Sequence, residues 1–170
     1  MYALIGVTLV GFLLRIHALG DLGFRWDEDL TSIAVQAINQ NGYPLLPSGM
    51  VYPRFLPLQY LLAGWTSLFG FSEFSIRFPI AVFGTALIPV TYIIAKDLVN
   101  TKVALIAATF IALDFWQVEL ARTARMYAPF YLFFAVYTIS VYRGLLWRRR
   151  PWKYAILPLG LLAISLHDIG

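Results

Sequence analysis

Apolar residues run along this chain in long blocks and do not alternate with polar ones. The first block covers residues 1–20 and is interrupted by Arg15 and His17. The second begins near Ile76 and ends before Lys96. The third runs from about 103 to 116 with Asp114 near its end, the fourth from about 126 to 142, and the fifth from 154 to about 166. A hydrocarbon core of about 30 Å takes about 20 apolar helical residues to cross. The blocks therefore predict an all-α polytopic transmembrane domain with about five spans, the third and fifth short for a full crossing. The first block has no basic n-region and no small-residue cleavage site, so it reads as a span and not as a cleaved signal peptide.

Between the first two blocks, residues 21–75 are mixed. Turn signals stand at Asn41-Gly42, Pro44, Pro47, Ser48-Gly49, Pro53 and Pro57. They separate two helical stretches, 29–39 and 58–69. The second is apolar and aromatic but too short to cross, which predicts a re-entrant or interface-lying helix. The outer loop is thus expected to carry amphipathic helices on the membrane face.

Composition agrees: 60% of residues are hydrophobic and 13% charged, against about 45–50% and about 25% in soluble domains. The net charge of +4 is not gathered on one amphipathic face, so a nucleic-acid partner is not expected. Absence of cysteine excludes a disulfide framework and a cysteine metal site. Lys96, Lys102, Arg143, Arg148, Arg149, Arg150 and Lys153 fall in two loops on one side, which predicts a cytoplasmic N-terminus. Of the acids, only Asp97 joins them. Asp21, Asp27, Glu28, Asp29, Glu73, Glu119 and Asp168 fall on the other side, with Asp114 at the outer end of the third span and His17 and His167 near the same face. Ionisable groups at a membrane edge are costly and mark function, so this outer face is the expected site.

The sharpest local feature is Arg25-Trp26-Asp27-Glu28-Asp29. Three adjacent carboxylates beside an arginine hold one group ionised and raise another's pKa, which suits a general base or a metal ligand. The plainer alternative is a helix start with Asp27 as N-cap. In Gln117–Tyr127, a helix would bring Glu119, Arg122, Met126 and Tyr127 together with Arg125 close by. Arginines there bind a phosphate or carboxylate bidentately, or merely snorkel and pair with Glu119. The stretch from Val51 to Leu62 sets a proline turn before an aromatic interfacial anchor, and His167-Asp168 joins the same face. No P-loop, dinucleotide turn, zinc-protease helix or serine elbow is present.

In order, Trp26-Asp27-Glu28-Asp29, then Tyr52-Pro53-Arg54-Phe55-Leu56-Pro57-Leu58-Gln59-Tyr60, then Phe69-Gly70-Phe71-Ser72-Glu73-Phe74-Ser75-Ile76-Arg77-Phe78-Pro79, then Glu119 through Tyr127 resemble the N-terminal part of a GT-C fold glycosyltransferase. The branch is the dolichyl-phosphate-mannose–protein mannosyltransferase superfamily, which includes the aminoarabinose transferases of lipid A. The resemblance implies an integral membrane enzyme, in a prokaryotic plasma membrane, that moves a sugar from a polyprenyl-phosphate donor to a hydroxyl of a protein or glycolipid acceptor on the outer face. It implies Asp27 as general base or acceptor-orienting carboxylate with Glu28 in support. Arg122, Arg125 and Arg77 would face the donor phosphate, and Glu119, Tyr127, His167 and Asp168 would support the site. The reading names no definite cofactor and leaves room for a divalent metal.

Two departures stand out. Many members carry His-Pro-Pro where this chain has Pro53-Arg54-Phe55-Leu56-Pro57, and many carry an acid after the second-loop motif where Arg122-Thr123-Ala124-Arg125 offers none; Glu119 or Asp114 could stand in. Family enzymes have about twice as many spans, so residues 1–170 read as a truncated N-terminal module. The rival readings are a non-catalytic membrane module that binds lipid-linked sugar or a partner subunit, and a transporter fragment. The second is disfavoured because the charges sit at span ends and not at mid-membrane.

Overall fold

The structure is a computed structural model that describes residues 2–25, 27–146 and 150–166. Trp26, residues 147–149 of the Trp147–Arg150 tract, and the His167-Asp168 pair lie outside the described residues. The order of elements is α1 (Tyr2–Ile16), α2 (Asp27–Asn41), α3 (Leu56–Phe69), α4 (Glu73–Leu98), α5 (Thr101–Leu113), α6 (Phe115–Ala121), α7 (Tyr127–Val141), a π-helical turn (Tyr142–Leu146) and α8 (Arg150–Leu166). Among the described residues the only extended pairing is an isolated bridge between Leu45 and Val51, so the all-α expectation holds.

Local chemistry sets the helix starts. The Ser72 hydroxyl accepts the Ser75 N–H ahead of α4, with Glu73 in the first turn where the dipole favours it. Asn100 caps α5 by accepting from Lys102 and Val103. The expected third span is broken. Asp114 leaves helical geometry, and its carboxylate accepts the Gln117 N–H to start α6. α5 and α6 therefore meet at a 57° bend. The Gln117–Tyr127 stretch is likewise not one helix, because α6 stops at Ala121 and a turn runs to α7.

Of the about five spans expected, α4 is the one described helix long and apolar enough to cross a membrane by itself. The bent pair α5–α6 passes when taken together, and α1 is apolar but shorter. α4, at 26 residues, is about 39 Å long at about 1.5 Å per residue. It is also the hub, packed against α5, α7, α1, α6 and α3. The outer-loop helices form where expected but run longer, and they bury one face each: Ala34, Val35 and Ile38 of α2 meet Leu58, Leu62 and Ala63 of α3 over Ile76 and Ile80 of α4.

Charges collect at the two ends of this bundle. At one end Arg143 pairs with Asp97 and stacks over Trp152, tying the close of α4 to the approach to α8. The other end holds Asp27, Arg77, Glu119, Arg122 and Arg125. Close helix approach makes this geometry possible at Gly84, where an added Cβ would stand 2.3 Å from the Cβ of Ala121. Neither atom is the end of a flexible chain, so the helices themselves would have to part. Gly84→Ala is expected to destabilise the protein by about 1–3 kcal/mol through overpacking. Thermal unfolding in detergent checks this, and an unchanged midpoint would mean that α4 and α6 are not in contact there.

Candidate functional site

Among the described residues, Glu28 and Arg77 make the most completely satisfied charge pair. The guanidinium grips the carboxylate in bidentate fashion, Nε to Oε1 at 3.0 Å and Nη2 to Oε2 at 2.8 Å. The remaining N–H groups of Arg77 go to the carbonyls of Leu19, Leu22 and Gly23. Glu28 in turn accepts the backbone N–H of Arg25 at 3.0 Å and of Ala124 at 2.6 Å. A guanidinium has five N–H donors, and all five of Arg77 are used. Both side chains are buried. The pair joins four segments: the end of the first loop, α2, α4, and the turn between α6 and α7. Burial alone pushes the Glu28 pKa up, but the Arg77 hydrogen bonds, the N–H groups of Ala124 and Arg25, and the arginine's charge outweigh it and hold Glu28 below the ordinary glutamate range.

Asp27, one residue earlier, faces the other way. It lies in the first turn of α2 and is not the N-cap expected of it; the acid that reaches back to a backbone N–H ahead of the helix is Glu28. The Asp27 side chain is 66% exposed, and its Oδ2 stands 3.5 Å from Nη2 of Arg125, which is itself 6% exposed. Arg125 Nη1 also reaches the Asp27 carbonyl at 3.2 Å and the Tyr52 hydroxyl at 3.5 Å. Its Nε is buried without a hydrogen-bond partner. The guanidinium lies 5.0 Å over the Phe55 ring, an attraction strengthened by desolvation. Phe55 meets Tyr52 edge to face and takes φ +41° just before α3. A bulky residue in that region is strained. The result is an exposed carboxylate beside a buried cation with an unused donor.

The other predicted residues are placed differently. Arg122 turns from Arg125 toward α1, where Nη1 reaches the carbonyls of Leu14 at 3.0 Å and His17 at 2.5 Å. Glu119 pairs at 2.8 Å with Arg25, both partly exposed. Arg25, Glu28, Arg77, Glu119, Arg122 and Thr123 line a small polar cavity of about 50 Å³. Tyr127 opens α7 and packs against the core. Arg77, Arg122 and Arg125 thus stand at one end of the bundle but are not aimed at a common point. Arg77 has no N–H left for a ligand, and Arg122 serves helix α1. Nor do Asp27, Glu28 and Asp29 converge as a metal cage, since Glu28 alone is buried. Among the described residues no group of three or more acids and histidines comes together to hold a metal ion. The structure adds Tyr52 and Phe55, which the sequence presents only as part of a proline turn and interfacial anchor. The pre-helix position of Phe55 before Leu56-Pro57 was the signal available.

The dolichyl-phosphate-mannose-protein mannosyltransferase family matches residues 56–166, a stretch that contains Arg77, Glu119, Arg122, Arg125 and Tyr127 and begins after the Asp27–Glu28 turn. No curated protein and no solved structure matches the chain.

A carboxylate whose pKa is lowered by folding contributes stability that is complete above its unfolded value and is lost as pH falls through its folded value. Acid should therefore loosen the Glu28–Arg77 clasp below the ordinary carboxylate range, with no effect near neutrality. Glu28→Gln leaves a buried, uncompensated arginine and is expected to cost about 3–5 kcal/mol. It should also remove this part of the acid dependence. Denaturant unfolding at several pH values reads both, and an acid limb identical in the variant would exclude Glu28 as its source.

Proposed function

The chain belongs to the dolichyl-phosphate-mannose-protein mannosyltransferase family, glycosyltransferases of the GT-C type, and from that membership we propose that it forms the acceptor-activating and phosphate-binding part of a lipid-phosphate-dependent sugar transferase. The observation that carries the proposal is the Asp27–Arg125 pair: an open carboxylate held beside a buried guanidinium with a free donor. The acceptor hydroxyl attacks the sugar C1 as the bond from C1 to the phosphate oxygen breaks and the polyprenyl phosphate departs. Asp27 accepts the hydroxyl proton, and Arg125 takes up the charge that develops on the departing phosphate. Phe55 and Tyr52 hold the arginine in place, while Glu28 and Arg77 position the helix that carries Asp27.

We read α1, α4, the bent pair α5–α6, α7 and α8 as five crossings. In support, large apolar side chains face outward in helical stripes: Leu9 and Leu13 on α1, Ile106, Phe110 and Leu113 on α5, and Leu157, Leu161 and Ile164 on α8. Stripes of this extent are a liability in water and ordinary against lipid. The end carrying Lys96, Lys102 and Arg143 is assigned to the cytoplasm by the positive-inside rule. That assignment sets Asp27 and Arg125 at the outer face of the membrane, facing a protein or glycolipid acceptor.

The test is transfer from a polyprenyl-phosphate sugar by the full-length protein. Asp27→Asn is expected to lower kcat by about 100-fold or more, in line with loss of a general base, while donor binding persists. Arg125→Ala should weaken donor binding and turnover together. Full activity in Asp27→Asn would remove that carboxylate from the mechanism.

A further inference from the structure

Arg15 is the one charged residue of α1, and it is fully buried. It sits one residue before the end of α1 and reaches across to the broken helix. Its Nη1 donates to the Gly11 carbonyl at 2.9 Å and to the Ala112 carbonyl at 3.1 Å, and its Nη2 donates to the Ile111 carbonyl at 3.0 Å. Ile111 and Ala112 lie in the last turn of α5, whose carbonyls lose their helical donors because Asp114 leaves the helix. Unsatisfied carbonyls of this kind are costly inside a bilayer, and broken helices persist there only where other protein groups take up the freed bonds. A cation at a helix C-terminus is favoured by the dipole as well.

The slot that admits the guanidinium is made of small residues from four helices. An added Cβ at Gly11 would come within 3.2 Å of both Arg15 Nη1 and Ala112 Cβ, and one at Gly84 within 3.3 Å of Arg15 Nε. Ala121, the last residue of α6, closes the slot against Gly84. The tie is reciprocal. Arg122, the residue after α6, gives its own N–H groups to the carbonyls at the end of α1. The end of α5 is thus completed by an arginine of α1, and the end of α1 by the arginine that follows α6. Between them lie α6 and the turn that sends Ala124 N–H to Glu28 and Arg125 to Asp27.

We propose that Arg15 is a positioning residue: it sustains the break between α5 and α6, and so fixes the turn that brings Arg125 to Asp27. The link to turnover rests on the transferase reading above; the link to the helix break does not.

The chain has no cysteine, so paired spin labels go in cleanly at Val103 on α5 and Trp116 on α6, both exposed. In lipid nanodiscs, Arg15→Met is expected to shift or broaden the distance distribution across the break. Arg15→Lys, which keeps donors for the carbonyls, is expected to restore it in part. In transfer assays the full-length Arg15→Met variant should lose about 10- to 100-fold in kcat, the scale of a small misplacement at a reacting centre. It should add little further loss when combined with Arg125→Ala, because both act through the same group. An unchanged distance in Arg15→Met overturns the inference whatever the activity. Should that variant fail to assemble, Arg15→Gln, with one amide to donate, carries the same distance test with the same overturning result. A changed distance in a protein that shows no transfer even unsubstituted supports the role of Arg15 at the break and sinks the transferase reading alone.

Discussion

The bidentate pair of Glu28 and Arg77 is the constraint on which the outer end of this molecule depends. Segments as far apart as Leu19 and Ala124 meet there, with Ala124 in the apolar core and Phe24 packed against it. What fixes their register is a set of charge-assisted bonds around one carboxylate and one guanidinium. Buried ion pairs often add little net stability because desolvation offsets attraction. They do define geometry sharply, since every lone pair and donor has one assigned partner. Here the assigned partners are mostly backbone groups, so the pair fixes where chain segments run.

That arrangement divides work between neighbouring acids. Along a helix, adjacent residues point about 100° apart, so Asp27 and Glu28 cannot share a face. One is spent inside the protein and the other is left at its surface. The same split applies to the arginines: Arg77 and Arg122 serve backbone carbonyls, while Arg125 keeps a donor free. Charge that looks redundant in a list of residues is assigned to separate tasks once the turn between α6 and α7 is formed.

Much of this was legible in the residues. Apolar blocks gave the helices, the proline and glycine signals gave the outer loop, and the placement of acids located the end of the bundle where Asp27 meets Arg125. The break at Asp114 was harder to see, because an aspartate at a span edge reads equally as a membrane boundary and as an N-cap. Helical spacing over Gln117–Tyr127 groups Arg122 with Arg125, and the end of α6 at Ala121 separates them. The roles of Arg15 and Arg77 were out of reach for a different reason. The partners of Arg15, and three of the five acceptor atoms that Arg77 bonds, are main-chain carbonyls, and any residue can supply one, so no pattern of side chains announces them. Tyr52 and Phe55 were hidden by the opposite ambiguity, as aromatic residues near a bilayer have an ordinary use as anchors.

The left-handed backbone at Phe55 has a consequence for how this chain tolerates change. Glycine would adopt φ +41° without strain, and a selection for robustness alone would favour it there. The same exchange would take away the aromatic floor beneath Arg125 and the edge that Tyr52 rests on. Residue 55 is therefore a position where backbone comfort and the seating of Arg125 pull in opposite directions. Thermostable descendants of this sequence would be expected to gain their resilience elsewhere and to leave the phenyl ring untouched.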